Sequence, residues 1–467
     1  MAPYERMRFP ALALVTVCLM TVVVDAVYAP VRAQRLQGGV AGQTRSPGRA
    51  AELRRGLDIA FHAMLADAGN LAKTLRFAEI ASELGDAEAA IAALERLLLL
   101  NSELSRAHLE LGELYFRLGS FDAARRYFQR ARATKDATPR IAERASLYLT
   151  EIERRDERSG LTGSVTAGIR YQTNATYGPE SAVVRAAGLP TQISRDGRPQ
   201  SDANGYLSLF ARHLHDLDRQ DGMLVESTMA LYGSRHIEVS RLNLLLFEPT
   251  VGLRFRPAPE GAPNLSIRPH VLGNVVLLDD EYYQGTIGFG LDAEQRFGRE
   301  FTIDGTYNFR RKEFERTSQQ LTATDLSGFE NRAVVRGRYF VAPDVIAGAD
   351  FVYVRDDADR VFTANDRYVI GANLTHYADA PFALTTGKWV YSFNVSRSWI
   401  DYDGPDPAID TATTRHDREW RIGAGQIVPV DDRWSVLLQA EYVTIDSSLP
   451  NYTLDDIIVT VGMSLRF

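Results

Sequence analysis

Two periodicities divide this chain. From residue 51 to about 155, apolar residues recur at three-and-four spacing, as in Leu94, Leu97 and Leu98 or in Leu111, Leu114 and Tyr115. That spacing lines one face of an α-helix. The segment is rich in Ala, Leu, Glu and Arg, and proline is absent from it until Pro139, so several uninterrupted helices are predicted. From Thr162 onward the period is two, which sends alternate side chains to opposite faces of a strand. Alternation and turn signals predict fourteen strands, centred on 163–172, 204–213, 222–232, 244–256, 264–275, 282–297, 299–311, 329–341, 344–354, 366–376, 388–399, 416–428, 432–444 and 456–467. In one of them Phe301, Ile303, Gly305, Tyr307 and Phe309 oppose Thr302, Asp304, Thr306, Asn308 and Arg310. In 204–213 either face could be apolar.

The links between strands sort by parity. Those after even-numbered strands are mostly short (218–221, 298–299, 342–344, 429–431), and those after odd-numbered strands are usually longer and polar (173–203, 312–328, 355–365, 401–415). Short turns at one end and long loops at the other are the pattern of an antiparallel transmembrane β-barrel. A soluble sandwich has no reason to alternate this way. An even count places both ends of the barrel on one side, with the helical region, which is then periplasmic. The final residues Ile457, Val459, Val461, Met463, Leu465 and Phe467 alternate with Thr460, Gly462, Ser464 and Arg466. A strand of that length crosses a bilayer at a tilt. An ending of this kind resembles the last strand of bacterial outer-membrane barrels, which implies that Met463, Leu465 and Phe467 signal to the barrel-assembly machinery.

At the other terminus Arg6 and Arg8 precede an apolar run over 11–24, and Val31, Arg32 and Ala33 offer a small-residue cleavage site. Residues 1–33 therefore read as a signal peptide, too short and wrongly flanked for a spanning helix. Lipidation at Cys18 is rejected, because Val17 stands where a small residue is needed. Cleavage takes three arginines and two carboxylates, which moves the formal charge from −7 to −8, and it removes the one cysteine. No disulfide or thiolate metal site is then expected. Residues 34–50, with five glycines or prolines among Ser and Gln, read as a flexible leader. No stretch is apolar enough for a membrane helix, so the chain spans a bilayer only as a closed barrel surrounded by membrane lipid. Mild acidity argues against a nucleic-acid partner.

The helical segment, 51–156, repeats. Leu111, Gly112, Tyr115, Gly119, Ala124, Phe128 and Ala131 match the tetratricopeptide pattern, and Phe77, Ala78, Ala81, Gly85, Ala90, Leu94 and Leu97 occupy the same places thirty-four residues earlier. A helix over 51–66 precedes the repeats and another over 139–155 caps them. Small residues let helices approach, and large ones fill the gap. Leu111, Gly112, Tyr115, Ala124, Phe128 and Ala131 are the candidate packing and partner-binding residues. Such arrays bind peptides or proteins, and a rigid spacer is the alternative.

Inside the barrel, alternation turns Glu226, Glu248, Asp292, Glu294, Asp304 and Asp350 inward, with Arg254, Arg268, Arg296, Arg310, Arg332, Arg336 and Arg338. Arg332, Arg336 and Arg338 share one face of one strand, a basic ladder able to steer an anionic or polar solute. Alternatively the charges pair across strands and stiffen the wall. The longest loop, 173–203, is placed to occlude the lumen. Tyr171, Tyr283, Phe297, Tyr339, Tyr353, Tyr368, Trp389, Trp434, Tyr442 and Phe467 fall near strand ends on the outward face, where interfacial girdles lie. His213 and His215 share a face without a third metal ligand. His376 and His416 lie near strand ends without a linked nucleophile, so neither a metal, a cofactor nor catalysis is expected.

A signal peptide, tetratricopeptide repeats and a C-terminal barrel of about fourteen strands (160–467) together resemble the surface lipoprotein assembly modifier class. Residues 111–131 and 163–467 carry the likeness, including the opening strand from Gly163 through Tyr171 to Asn174. The resemblance implies an outer-membrane translocon or assembly factor, whose periplasmic repeats recruit a client, a surface lipoprotein or other protein, to the barrel. No binding motif transfers residue by residue. An exopolysaccharide export porin joins the same parts, with a polysaccharide as cargo. An outer-membrane barrel hydrolase is the third reading.

Overall fold

The computed structural model describes residues 47–67, 69–84, 86–156, 159–219, 222–257, 264–381 and 387–467. The residues read above as a signal peptide, most of those read as a leader, and Gly85 lie outside them. The chain divides into two compact units, with the boundary between residues 158 and 159.

The first unit holds α1 (Pro47–Ala66), α2 (Leu71–Leu84), α3 (Ala87–Leu100), α4 (Ser105–Arg117), α5 (Phe121–Ala133) and α6 (Pro139–Asp156). Among the described residues α1 already runs from Pro47, ahead of the expected 51. The starts of α2, α4 and α6, and of α3 and α5, recur at the repeat spacing. Two contiguous cores result. Leu75, Phe77, Ala81, Leu94, Leu97 and Leu111 are buried together, and Ala124, Phe128, Ala131, Ala145 and Ile152 fill the next layer. Gly112 is obligatory in that layer: a Cβ there would sit 2.6 Å from the Phe128 ring. Asp86 caps α3 through a bond accepted from the Ala89 N–H, and Asp136 accepts the Ser105 N–H at 2.9 Å, which ties the start of α4 to the α5–α6 link.

The second unit is a closed antiparallel barrel. Its strands are β1 (Ser159–Gln172), β4 (Asp202–Asp216), β5 (Leu224–His236), β6 (Leu244–Arg254), β7 (Leu265–Leu278), β8 (Glu281–Phe297) and β9 (Phe301–Phe314). They continue with β10 (Gly328–Ala342), β11 (Val345–Ala358), β12 (Asn365–Ala378), β13 (Trp389–Tyr402), β14 (His416–Pro429), β15 (Trp434–Ser447) and β16 (Leu454–Arg466). Each pairs with the next, and β1 closes on β16 with Ile169 opposite Val461. All fourteen strands fall where alternation puts them. Two short strands, β2 (Val183–Ala186) and β3 (Leu189–Gln192), form a hairpin within the longest loop.

Sidedness in the barrel is the reverse of the helical unit. Ile169, Ile287, Phe289, Val335, Ile370, Phe393, Ile422 and Val461 are exposed on the outside. An outer apolar band facing away from a polar interior is what a lipid environment requires, and Arg397 within it lies over the rings of Trp399 and Trp420. Phe297, Tyr339, Trp434 and Phe467 stand on this outer face at the end holding the chain's entry and exit, here the terminal end, and Tyr171, Tyr353 and Tyr368 near the opposite, loop end. Phe467 continues the seam by exchanging hydrogen bonds with Gly163, and its ring covers the space a Cβ on Gly163 would need.

One expectation needs correction, and another holds with exceptions. Tyr283 is not on the outward face; it is 3% exposed and packs inward on Phe314. The cause is a bulge in β8: Val276 pairs with Gln284 and Leu277 with Tyr282, so Tyr283 is the extra residue and Tyr282 takes the outer position. The parity of link lengths also has exceptions. The connection from β7 to β8 at the loop end is only Asp279 and Asp280, both at positive φ, a turn that aspartate tolerates. The links 255–264 and 379–388 at the terminal end are longer than a tight turn.

Candidate functional site

Inward-facing polar residues converge because a period of two gives every strand a polar face and closure turns all those faces to one axis. On the β4–β8 wall, Glu226 is buried among arginines. Arg212 reaches it at 2.8 Å, Arg254 bonds its other oxygen, and Arg268 lies 3.9 Å away. Arg268 also pairs with Asp292 at 2.9 Å, and His270 lies 3.4 Å from the same carboxylate. Breaking such a buried pair strands a charge, so this network fixes the wall and leaves little capacity for a ligand. Glu248 accepts a bond from Asn274, and Arg296 pairs with Glu294 at 2.7 Å.

The β8–β16 side is open. A cavity of about 480 Å³ runs along it, lined by Arg336, Arg338, Asn373, Asn394, Ser392 and Gln439 among others. The ladder residues Arg332, Arg336 and Arg338 all line this cavity. Arg338 pairs with Asp304 at 2.9 Å, and Arg336, directly opposite Asp304 in the strand register, approaches it at 3.8 Å. Asp350 lies opposite Arg336 on the other neighbour, and Arg421 holds Glu441 at 2.8 Å and Glu419. A second cavity of about 110 Å³ occupies the loop half, walled by Tyr283, Phe314, Lys312, Glu330, Asp356 and Leu326.

The loop end is covered. Residues 173–201 fold against neighbouring loops: Ala187 and Gly188 donate to Ala408 and Ile409, Asn451 brackets Arg185 with two bonds, and Arg185 pairs with Asp410. Asp456 anchors the loop's start by accepting from Gln172, Thr173 and the Asn174 N–H. Tyr177 drops in against Val443, Ile445, Leu454 and Ile458. On the opposite side Tyr206, Tyr232, Leu246, Val276, Tyr283 and Phe314 make an inward apolar cluster with Ala323 of the β9–β10 loop. No signal of spacing pointed to this second cluster, since its members come from six strands and Tyr283 joins it only through the bulge in β8.

In the helical unit Leu111, Ala124, Phe128 and Ala131 are fully buried, and Gly112 lies beneath Phe128. Tyr115 is half-buried, stacks on Tyr127 at 5.4 Å and donates to Glu95. A surface for a partner is therefore supplied by neighbouring side chains. Charged residues of α2, α4 and α6 meet on one: Arg106 lies 4.0 Å from Glu79, Arg144 2.7 Å from Glu113, and Arg117 donates to Ser82. Burial and the neighbouring Glu113 push the Glu110 carboxyl above its ordinary range.

The candidate histidines are scattered. His213 and His215 stack at 6.3 Å on the outer face, where His215 meets Ser159. His376 lies 3.7 Å from Asp344, and His416 2.8 Å from Asp401. Among the described residues no three potential metal ligands group together.

A tetratricopeptide repeat family matches residues 75–139. No curated protein is significantly similar to the chain. Among solved structures, an outer membrane channel from Pseudomonas putida F1 is similar at 12% identity, covering 66% of this chain and 96% of that one with a TM-score of 0.34. An anion-selective porin from Comamonas acidovorans is similar at 9% identity, covering 66% and 99% with a TM-score of 0.33. The type III secretion translocator chaperone SycD of Yersinia enterocolitica is similar at 16% identity, covering 23% and 85% with a TM-score of 0.22.

Proposed function

We propose that this chain is an outer-membrane translocon or assembly factor, whose repeats recruit a client in the periplasm for passage or display by the barrel. The observation that carries the reading is the joining, in one chain, of a peptide-binding repeat class to a barrel with an apolar exterior and a polar cavity. Chain order adds the topology: α6 ends at Asp156 and β1 begins at Ser159, so the repeats share a membrane side with the barrel's terminal end. Assigning the long loops to the cell exterior makes that side the periplasm. The charged face of α2, α4 and α6 is the proposed client surface. The terminal strand, with Met463, Leu465 and Phe467 outward, is the proposed assembly signal. The client is a protein, of the surface-lipoprotein kind that the resemblance implies.

A strain lacking residues 51–155 but keeping the signal peptide and barrel tests recruitment. The barrel should still fractionate with the outer membrane and show heat-modifiable mobility, while the client disappears from the cell surface. Undiminished display rejects recruitment, and a chain found free in the periplasm rejects the membrane assignment.

One observation favours a second reading, export of a polysaccharide. Asn373, Asn394, Ser392, Ser396 and Gln439 line the larger cavity, and amides and hydroxyls match the hydrogen-bonding groups of sugars. Comparing surface proteins and surface glycans of the deletion strain separates the two.

A further inference from the structure

The two cavities differ in charge. Around the larger one stand Arg254, Arg332, Arg336, Arg338, Arg367 and Arg421, matched in number by Asp292, Glu294, Asp304, Asp350, Glu419 and Glu441, so its formal charges cancel. Around the smaller one stand four cations, Arg310, Lys312, Arg332 and Arg367, against two carboxylates, Glu330 and Asp356, which leaves an excess of two positive charges. Glu248 bonds Asn274 nearby but does not line this cavity.

That excess can be located. Lys312 occupies both carboxylates, at 2.5 Å from Asp356 and 3.4 Å from Glu330, and Arg310 supports Glu330 at 3.9 Å. Among the described residues neither Arg332 nor Arg367 makes an ion pair within 4.0 Å; Arg332 acts on Glu330 and Arg367 on Asp356 only at longer range, with Lys312 the nearer partner of both carboxylates, and Nε of Arg367 is buried without an acceptor. These same two arginines, with Val352 and Val369, border both cavities. They also lie in one row of the wall: Arg332 of β10 is opposite Val354 of β11, which is opposite Arg367 of β12. Two inter-strand steps separate their backbones by about 10 Å. Guanidinium groups on stems that long can close on one anion from two sides. The apolar cluster of Tyr283, Phe314 and Leu326 beside them excludes water and strengthens that attraction.

We propose that Arg332 and Arg367 form an anion-binding constriction between the two cavities, taking a carboxylate or phosphate group of a solute in the lumen. Planar guanidinium donors suit such groups bidentately. The chemistry is shared by a free small anion and by the acidic unit of a saccharide. The proposal stands apart from client recruitment, since it uses no residue of the helical unit.

Titration calorimetry on the full chain in detergent, with sodium glucuronate, inorganic phosphate and neutral glucose, tests it. Both anions binding marks a general anion site; glucuronate alone marks a site for acidic sugars. Arg332→Gln and Arg367→Gln should each weaken anion binding about tenfold, the loss of one charge-assisted contact. Arg332→Lys and Arg367→Lys, which keep the charge, should retain more affinity than the glutamines. Arg144→Gln, in the helical unit and paired with Glu113, should change nothing. Heat-modifiable mobility certifies that each variant has closed. The proposal is overturned if neither anion binds the parent chain, if glucose binds as well as glucuronate, or if closed glutamine variants bind anions undiminished.

Discussion

The helical unit and the barrel are built from the same residue types with opposite sidedness. In the repeats Leu94, Leu97, Leu111 and Phe128 are the centre and charge is the surface. In the barrel Ile287, Phe289 and Val461 are the surface, and Glu226, Lys312 and Asp456 are buried. The first arrangement is held by apolar burial from water. The second is held by a closed ladder of backbone hydrogen bonds, with its apolar residues turned outward. Exposure therefore means different things in the two units, and substitutions should separate them.

The largest effect is expected at Phe128. Truncation to alanine removes the ring that stacks on Tyr148 at 4.7 Å and fills the space over Gly112, for a cost of about 3–5 kcal/mol to the helical unit. The helix signal at 222 nm should melt at lower denaturant while heat-modifiable barrel mobility is unchanged. Loss of both transitions together would mean that the units do not fold separately. Next comes a matched pair of exposed residues. Ile287 is 72% exposed near the middle of β8, and Leu99 is 87% exposed on α3. Arginine at Ile287 should destabilise the barrel in vesicles by about 2–4 kcal/mol. The same change at Leu99 should fall within about 0.5 kcal/mol in the helical unit. Equal effects would remove the case for lipid around the barrel. Gly112→Ala follows, at about 1–3 kcal/mol, because the added methyl must displace the Phe128 ring.

The same contrast explains what was legible in the sequence. Strands of Phe301 to Phe309 kind announce themselves, since one apolar face and one polar face give strict alternation, and a slip of one residue reverses every side chain. The repeat is legible for a similar reason: Gly112 and Phe128 must match across helices. What escaped notice depends on local backbone geometry or on register. The bulge that turns Tyr283 inward leaves no mark in the alternation of 282–297. The β2–β3 hairpin turns through Ala187 and Gly188 at positive φ, and alanine there is not a turn signal. The ladder Arg332, Arg336 and Arg338 was visible as a face. That Arg336 and Arg338 meet Asp304 while Arg332 lies opposite Asn308 follows only from pairing β9 with β10.

The smallest effect expected is an alkaline one confined to the helical unit. Burial, then the hydrogen bond it donates to Glu95 at 3.0 Å and that carboxylate's charge, push the Tyr127 phenol up to about 12. Tyr115, which donates to the same oxygen, is raised by the same causes. A phenol harder to ionise in the folded state stabilises the fold fully below its unfolded value of 10, and that contribution is lost as pH rises from there through about 12. The denaturation midpoint of the 222 nm signal should therefore fall across that window. Glu95→Gln removes the charge but leaves the burial, so the decline should become shallower without vanishing. A slope identical in the two chains would show that Glu95 does not set the tyrosines' ionisation, and that stacking with burial alone holds this corner of the repeats.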